Sequence, residues 1–126
     1  MARILVVDDD NLSRSIFREL LEEAGHQVVE AKTSGEGVRC FRQFEIDLVV
    51  TDLFMPEHGG MEVIEGVQSL DPEVGVIAVS GIALDNKGAI FEQAEQAGAD
   101  YTLEKPVNPE VLRQAVESLL GDADSG

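Results

Sequence analysis

Short apolar runs that each stop at a polar residue constrain this chain more than any other feature. Ile4-Leu5-Val6-Val7 stops at Asp8 and Asp9, and Asp47-Leu48-Val49-Val50-Thr51 stops at Asp52. Val76-Ile77-Ala78-Val79 stops at Ser80, and a fourth run is followed by Lys105-Pro106. Longer stretches with helical spacing lie between them. The pattern predicts strands near residues 3–7, 27–31, 47–51, 74–80 and 101–104, and helices near 11–24, 35–44, 60–70, 85–97 and 108–120. In the first helix Leu12, Ile16 and Leu20 share one face, with Phe17, Leu21 and Ala24 beside it. Val63, Ile64 and Val67 repeat the spacing, as do Ile90, Ala94 and Ala97, and then Val111, Leu112, Ala115, Val116, Leu119 and Leu120.

The punctuation agrees. Ser34 before Gly35-Glu36 can cap a helix, and Asn108-Pro109-Glu110 reads as N-cap, first-turn proline and dipole-favoured carboxylate. Gly25, Gly98 and Gly121 follow helical stretches, where a C-terminal cap needs positive φ. Pro72 bars a helix through Asp71. Five βα units imply an α/β fold: a five-stranded parallel sheet, doubly wound, (βα)5. One domain spans residues 1–121, and residues 122–126 read as a short acidic tail.

Composition narrows the functions. The chain has 25 acidic and 9 basic residues and a formal charge of −16. Nucleic-acid binding needs cationic surface, and no basic cluster is present, so no direct contact with DNA or RNA is expected. No apolar stretch approaches the roughly 20 residues of a membrane helix, and the first apolar run is too short for a secretory signal. Cys40 is the single cysteine and cannot form an internal disulfide, which suits a reducing, cytoplasmic setting.

In a doubly wound sheet, ligands bind at the carboxyl ends of the strands. Asp8, Asp9, Asp52, Ser80 and Lys105 all fall there. Clustered carboxylates tolerate one another when a cation sits between them. Mg²⁺, or Mn²⁺ in its place, suits oxygen ligands and leaves room for a phosphate oxygen. Asp52 can then act as a nucleophile toward phosphorus, Lys105 as a compact cation for a phosphoryl oxygen, and Ser80 as a hydrogen-bond donor. Other residues read as structural. Asp10 caps the first helix or is solvated, His58 is a solvated loop histidine, and His26, in a helix-to-strand turn, is structural or solvated. Cys40, Met55 and Met61 pack. Ser80 has no histidine at triad spacing, and no GxxxxGK[ST] loop exists.

At this point the chain resembles the response-regulator receiver domains of two-component signalling, the CheY-like, flavodoxin-like fold. Val6-Val7-Asp8-Asp9 resembles the acidic-pair strand, and Asp52-Leu53-Phe54-Met55-Pro56 with Gly60 resembles the phosphoacceptor loop. Val79-Ser80-Gly81 resembles the switch hydroxyl followed by a small residue, and Gly98-Ala99-Asp100 with Lys105-Pro106 resembles the last unit. The likeness covers about residues 2–120. It implies a signalling protein rather than an enzyme, whose self-catalysis is confined to its own phosphorylation and slow dephosphorylation. Asp52 would take phosphate from a phosphohistidine on a sensor histidine kinase or phosphotransfer protein. Asp8, Asp9, Asp52 and the backbone carbonyl of Phe54 would hold Mg²⁺. Ser80 and Lys105 would contact the phosphoryl group. A downstream protein would bind the fourth helix, fifth strand and fifth helix.

Two rival readings exist. Val6 to Asp10 also resembles the opening of a haloacid-dehalogenase phosphatase with Asp8 as nucleophile, though no acidic site follows Lys105 and Asp52-to-Pro56 would go unexplained. A pseudo-receiver that binds partners without phosphorylation would not need all five site residues. One departure from the family stands out. Its aromatic switch position, three before the lysine, is Thr102 here. Tyr101 is one step earlier, on the opposite strand face. In the family, the residues two after the phosphoacceptor and two after the switch hydroxyl flank the path of the hydrolytic water; the resemblance puts Phe54 and Ile82 there, and neither can orient a water. Slow self-dephosphorylation is therefore expected. Replacing them together, Phe54→Asn with Ile82→Glu, should shorten the phosphoryl lifetime measured by loss of labelled phosphate, and an unchanged lifetime would refute this.

Overall fold

Ile4, Leu5, Val6 and Val7 are all fully buried, so both faces of their strand, β1 (Arg3–Val7), are covered. The same holds for Leu48 to Thr51 of β3 (Leu48–Asp52) and Val76 to Val79 of β4 (Gly75–Ser80). The computed structural model describes residues 2–55, 59–81 and 87–125. The remaining elements are α1 (Asn11–Glu23), β2 (Gln27–Ala31), α2 (Ser34–Gln43), α3 (Gly60–Leu70), α4 (Lys87–Ala97), β5 (Tyr101–Glu104) and α5 (Pro109–Ser125). Residues 85 and 86, expected in the fourth helix, lie outside the described residues, as do Pro56, His58 and Ile82. Among the described residues no helix is long and apolar enough to cross a membrane.

The strands form one parallel sheet in the order β2-β1-β3-β4-β5. Strand order reverses between β1 and β3, the switch point of a doubly wound fold. Alternation along each strand divides the core into two layers. Ile4, Val6, Leu48, Val50, Ile77 and Val79 pack with Phe17 and Leu21 of α1 and Leu112, Ala115 and Val116 of α5. Leu5, Val7, Val49, Val76 and Ala78 pack with Phe41 of α2, Val63, Ile64 and Val67 of α3, and Ala94 of α4.

Local chemistry explains the helix ends. Asn108 Oδ1 accepts from Glu110 N at 2.8 Å and Val111 N at 3.3 Å, the expected N-cap. At the end of α1, Gly25 N–H donates to Glu22 O at 2.9 Å and His26 N–H to Leu21 O at 3.1 Å. This Schellman closure requires the positive φ of 95° that glycine takes at Gly25. Of the two readings for His26, the structural one holds: its Nδ1 accepts from Ala2 N at 3.2 Å.

Three expectations shift. The cap of α2 is Thr33, whose hydroxyl accepts from Glu36 N at 3.1 Å, while Glu36 reaches back to Lys32 N at 2.8 Å. Ser34 is instead the first helical residue, buried and donating to Glu62 Oε2 at 3.3 Å. Helix α5 runs through Gly121, whose backbone is not left-handed, to Ser125, so residues 122–125 of the stretch expected as a tail continue the helix. A glycine costs a helix about 1 kcal/mol, a penalty that a helix can absorb. Finally, the inward face of α1 is Arg14, Phe17 and Leu21. Leu12 is 69% exposed and Ile16 49% exposed.

Two of the three leucines of α1, Leu12 and Leu21, make this face testable. Leu21→Ala should cost about 2–5 kcal/mol in urea unfolding, the range for buried leucines. Leu12→Ala should stay within about 0.5 kcal/mol, as surface changes do.

Candidate functional site

Sheet register assembles the site. Val7 pairs with Thr51, so the next residues, Asp8 and Asp52, emerge side by side from β1 and β3. Asp52 pairs with Val79 and Ser80 with Glu104, which brings Ser80 and Lys105 to the same end. Asp52 is itself the last residue of β3, one position further into the strand than its apolar run suggested. Asp8, Asp52 and Ser80 are buried, and Asp9 is exposed.

Each buried carboxylate organises the turn that follows it. Asp8 Oδ1 accepts from Asp10 N at 2.9 Å, and Asp52 Oδ1 accepts from Phe54 N at 3.2 Å. These are Asx turns, in which a side chain holds the backbone two residues on. The remaining oxygens meet one cation: Lys105 Nζ lies 2.7 Å from Asp8 Oδ2 and 3.2 Å from Asp52 Oδ2. Asp10 has turned away to cap α1, its Oδ2 accepting from Ser13 Oγ at 2.8 Å and Ser13 N at 3.1 Å.

Small residues make room. A Cβ on Gly60 would stand 2.0 Å from the Asp52 carbonyl oxygen, so only glycine lets α3 start directly behind Asp52. A Cβ on Gly81 would stand 3.1 Å from Lys105 Cδ, on the path of the lysine stem. Beside the site a groove of about 420 Å³ is lined by Gly81, Lys105, Pro106 and Val107 on one wall and Ile16, Phe17 and Leu20 on the other.

Electrostatics follow from burial and pairing. Burial raises the Asp52 pKa above its ordinary value, and the negative charge of Asp8 adds to this; Lys105 and the Phe54 N–H oppose it without cancelling it. Burial works against the Lys105 ammonium, yet the Asp8 hydrogen bond and the charges of Asp52 and Asp8 outweigh it and raise the Lys105 pKa. The donor set also fits a hard divalent cation. Asp8, Asp9 and Asp52 each offer one oxygen, and these lie within 4.8 Å of one another.

The model of the response regulator receiver domain matches residues 4–117. The chain belongs to the response regulator receiver family. It is 30% identical to the chemotaxis protein CheY of Halobacterium salinarum over 94% of this chain and 96% of that one. A response regulator receiver domain from Clostridium thermocellum superposes with a TM-score of 0.86 at 33% identity, covering 98% of each chain. The response regulator TrrA of Thermotoga maritima, solved in complex with Mg(2+)-BeF, superposes at 0.84 with 29% identity, covering 95% of this chain and all of that one. The flavodoxin-like receiver fold expected from the motifs is thus the observed one. Family and fold together leave the dehalogenase-like phosphatase without support.

Within this receiver the two switch candidates separate. Thr102 pairs with Ala78, two residues before Ser80, and so shares the strand face turned to α4. Tyr101 belongs to the opposite layer, and its hydroxyl lies 2.8 Å from Ser118 Oγ of α5. One residue near the site was not apparent from the sequence: Arg14, buried on the inward face of α1 with its guanidinium on the Asp8 carbonyl oxygen at 2.9 Å. Its only sequence signal was a charged residue in phase with Phe17 and Leu21.

The raised Asp52 pKa has a stability consequence. The folded state holds this proton more tightly than the unfolded chain does, so ionising Asp52 is a cost to the fold above the raised pKa. In metal-free buffer Asp52→Asn should therefore raise Tm at pH 7. The gain should shrink as pH falls through the raised pKa toward the ordinary 3.8. Thermal unfolding followed by circular dichroism checks this; a gain independent of pH would contradict it.

Proposed function

We propose that Asp52 is the phosphoacceptor of this receiver and that its donor is a phosphohistidine on a sensor histidine kinase or phosphotransfer protein. The observation that carries this reading is the Lys105 ammonium, held between Asp8 and Asp52 at the mouth formed by β1, β3 and β5. A carboxylate oxygen of Asp52 attacks phosphorus. A P–O bond forms, the P–N bond breaks, and the imidazole leaves with the bonding electron pair. Asp8, Asp9, Asp52 and the Phe54 carbonyl would hold Mg²⁺, which when bound neutralises charge on the carboxylates and the phosphoryl oxygens. Lys105 turns from the carboxylates to one phosphoryl oxygen, and Ser80 donates to another. Leu12, Ile16 and the groove beside Lys105 offer apolar surface on which a donor protein can rest while its histidine reaches Asp52.

The output is a shift between pre-existing conformations of the surface made by α4, β5 and α5. Ser80 and Thr102 face α4 together, so movement of the Ser80 hydroxyl is read by a small neighbour rather than by a rotating ring. Tyr101 is tied to α5 and takes no part in that movement.

Incubation with a small acyl phosphate and Mg²⁺, followed by intact mass, tests the assignment. The wild type should gain one phosphoryl group, and Asp52→Asn or removal of Mg²⁺ with a chelator should abolish the gain. An adduct that survives in Asp52→Asn but is lost in Asp8→Asn would move the nucleophile to Asp8.

A further inference from the structure

Arg14 is a buried cation that the chemistry above does not use. It is 7% exposed and stands on α1. Its guanidinium donates to three acceptors on three segments: Asp8 O of the turn after β1 at 2.9 Å, Glu30 Oε1 of β2 at 2.8 Å, and Asn11 Oδ1 of the first turn of α1 at 2.7 Å. Only a planar, forked donor can serve all three at once. Glu30 also pairs with Arg18, so it keeps a cationic partner independent of Arg14.

The turn that Arg14 grips carries two of the three carboxylates of the site. Asp8 is fastened at every polar atom: its N–H donates to Ala31 O at 3.1 Å, its carbonyl accepts from Arg14, and its two carboxylate oxygens accept from Asp10 N and Lys105 Nζ. Asp9 is exposed, so its direction depends on the backbone at Asp8 and Asp10. Asp10 O in turn accepts the Arg14 backbone N–H at 3.0 Å. One residue therefore holds both ends of the Asp8–Asp10 turn, with its side chain at Asp8 and its main chain at Asp10.

We infer that Arg14 is a positioning residue for the divalent cation, fixing the turn that presents Asp8 and Asp9. This rests on the reading of Asp8, Asp9 and Asp52 as Mg²⁺ ligands. The sign of the effect separates positioning from charge. Removing a nearby cation makes the site more negative and, by electrostatics alone, tightens Mg²⁺ binding. Loosening the turn weakens it.

Calorimetric titration of the full chain with Mg²⁺ reads the sign directly, with Tm measured alongside. Arg14→Met should weaken Mg²⁺ binding about tenfold, the lower end for residues that orient metal ligands. Arg14→Lys, which keeps the charge and loses the fork, should fall between it and the wild type. Leu120→Ala serves as the control for stability: Leu120 is in the same core layer at the opposite ends of the strands, where Leu119 meets Gly75. It should lower Tm and leave Mg²⁺ affinity unchanged. Unchanged or tighter Mg²⁺ binding by Arg14→Met, or equal weakening by Leu120→Ala, overturns the positioning role alone. A wild type that binds no Mg²⁺ overturns the metal reading, and this inference with it.

Discussion

Asp8 and Asp52 stand abreast in surroundings that water barely reaches, and like charges there repel. At about 5 Å the cost is roughly 3 kcal/mol for an effective dielectric near 20. The neighbourhood answers this repulsion. Lys105 Nζ bridges the two, and each carboxylate takes a backbone N–H from the turn it precedes. The glycines at 60 and 81 exist in this arrangement to let backbone and lysine approach closely enough. The same two negative charges that repel each other are what hold the lysine between them. On the reading of Asp52 as the phosphoacceptor, a bound cation and phosphoryl group would give the lysine another partner. The site is therefore a balance that ligands can tip.

The frame around that balance was readable from residues alone because strand ends announce themselves. Apolar runs that stop at Asp8, Asp52, Ser80 and Lys105 become neighbours once the strands are parallel, whatever their separation in sequence. What could not be read was which side of a helix faces in. In α1 a regular Leu12-Ile16-Leu20 series competes with Phe17 and Leu21, and the inward face includes an arginine that any count of apolar residues discards. The cap of α2 fell on Thr33 rather than Ser34 because adjacent hydroxyl residues are equivalent in sequence and only backbone geometry separates them. Gly121 carried a stop signal that a helix can absorb.

Burial also sorts the two sides of the sheet into different jobs. The layer with α1 and α5 carries Asp8, Asp52 and Lys105 in its strand phase, and Arg14 from its helix. The layer with α2, α3 and α4 carries Ser80 and Thr102. In strand phase the two buried carboxylates and the lysine thus lie on one side of the sheet, and the Ser80 hydroxyl lies on the other.

Tyr101 is the only tyrosine, and the chain has no tryptophan. Its ring lies on β5 with its hydroxyl against Ser118 of α5. All of the tyrosine emission of this protein therefore originates at a single seam between strand and helix. The chain has a built-in optical gauge for that seam, one that needs no label and reports on no other place in the fold.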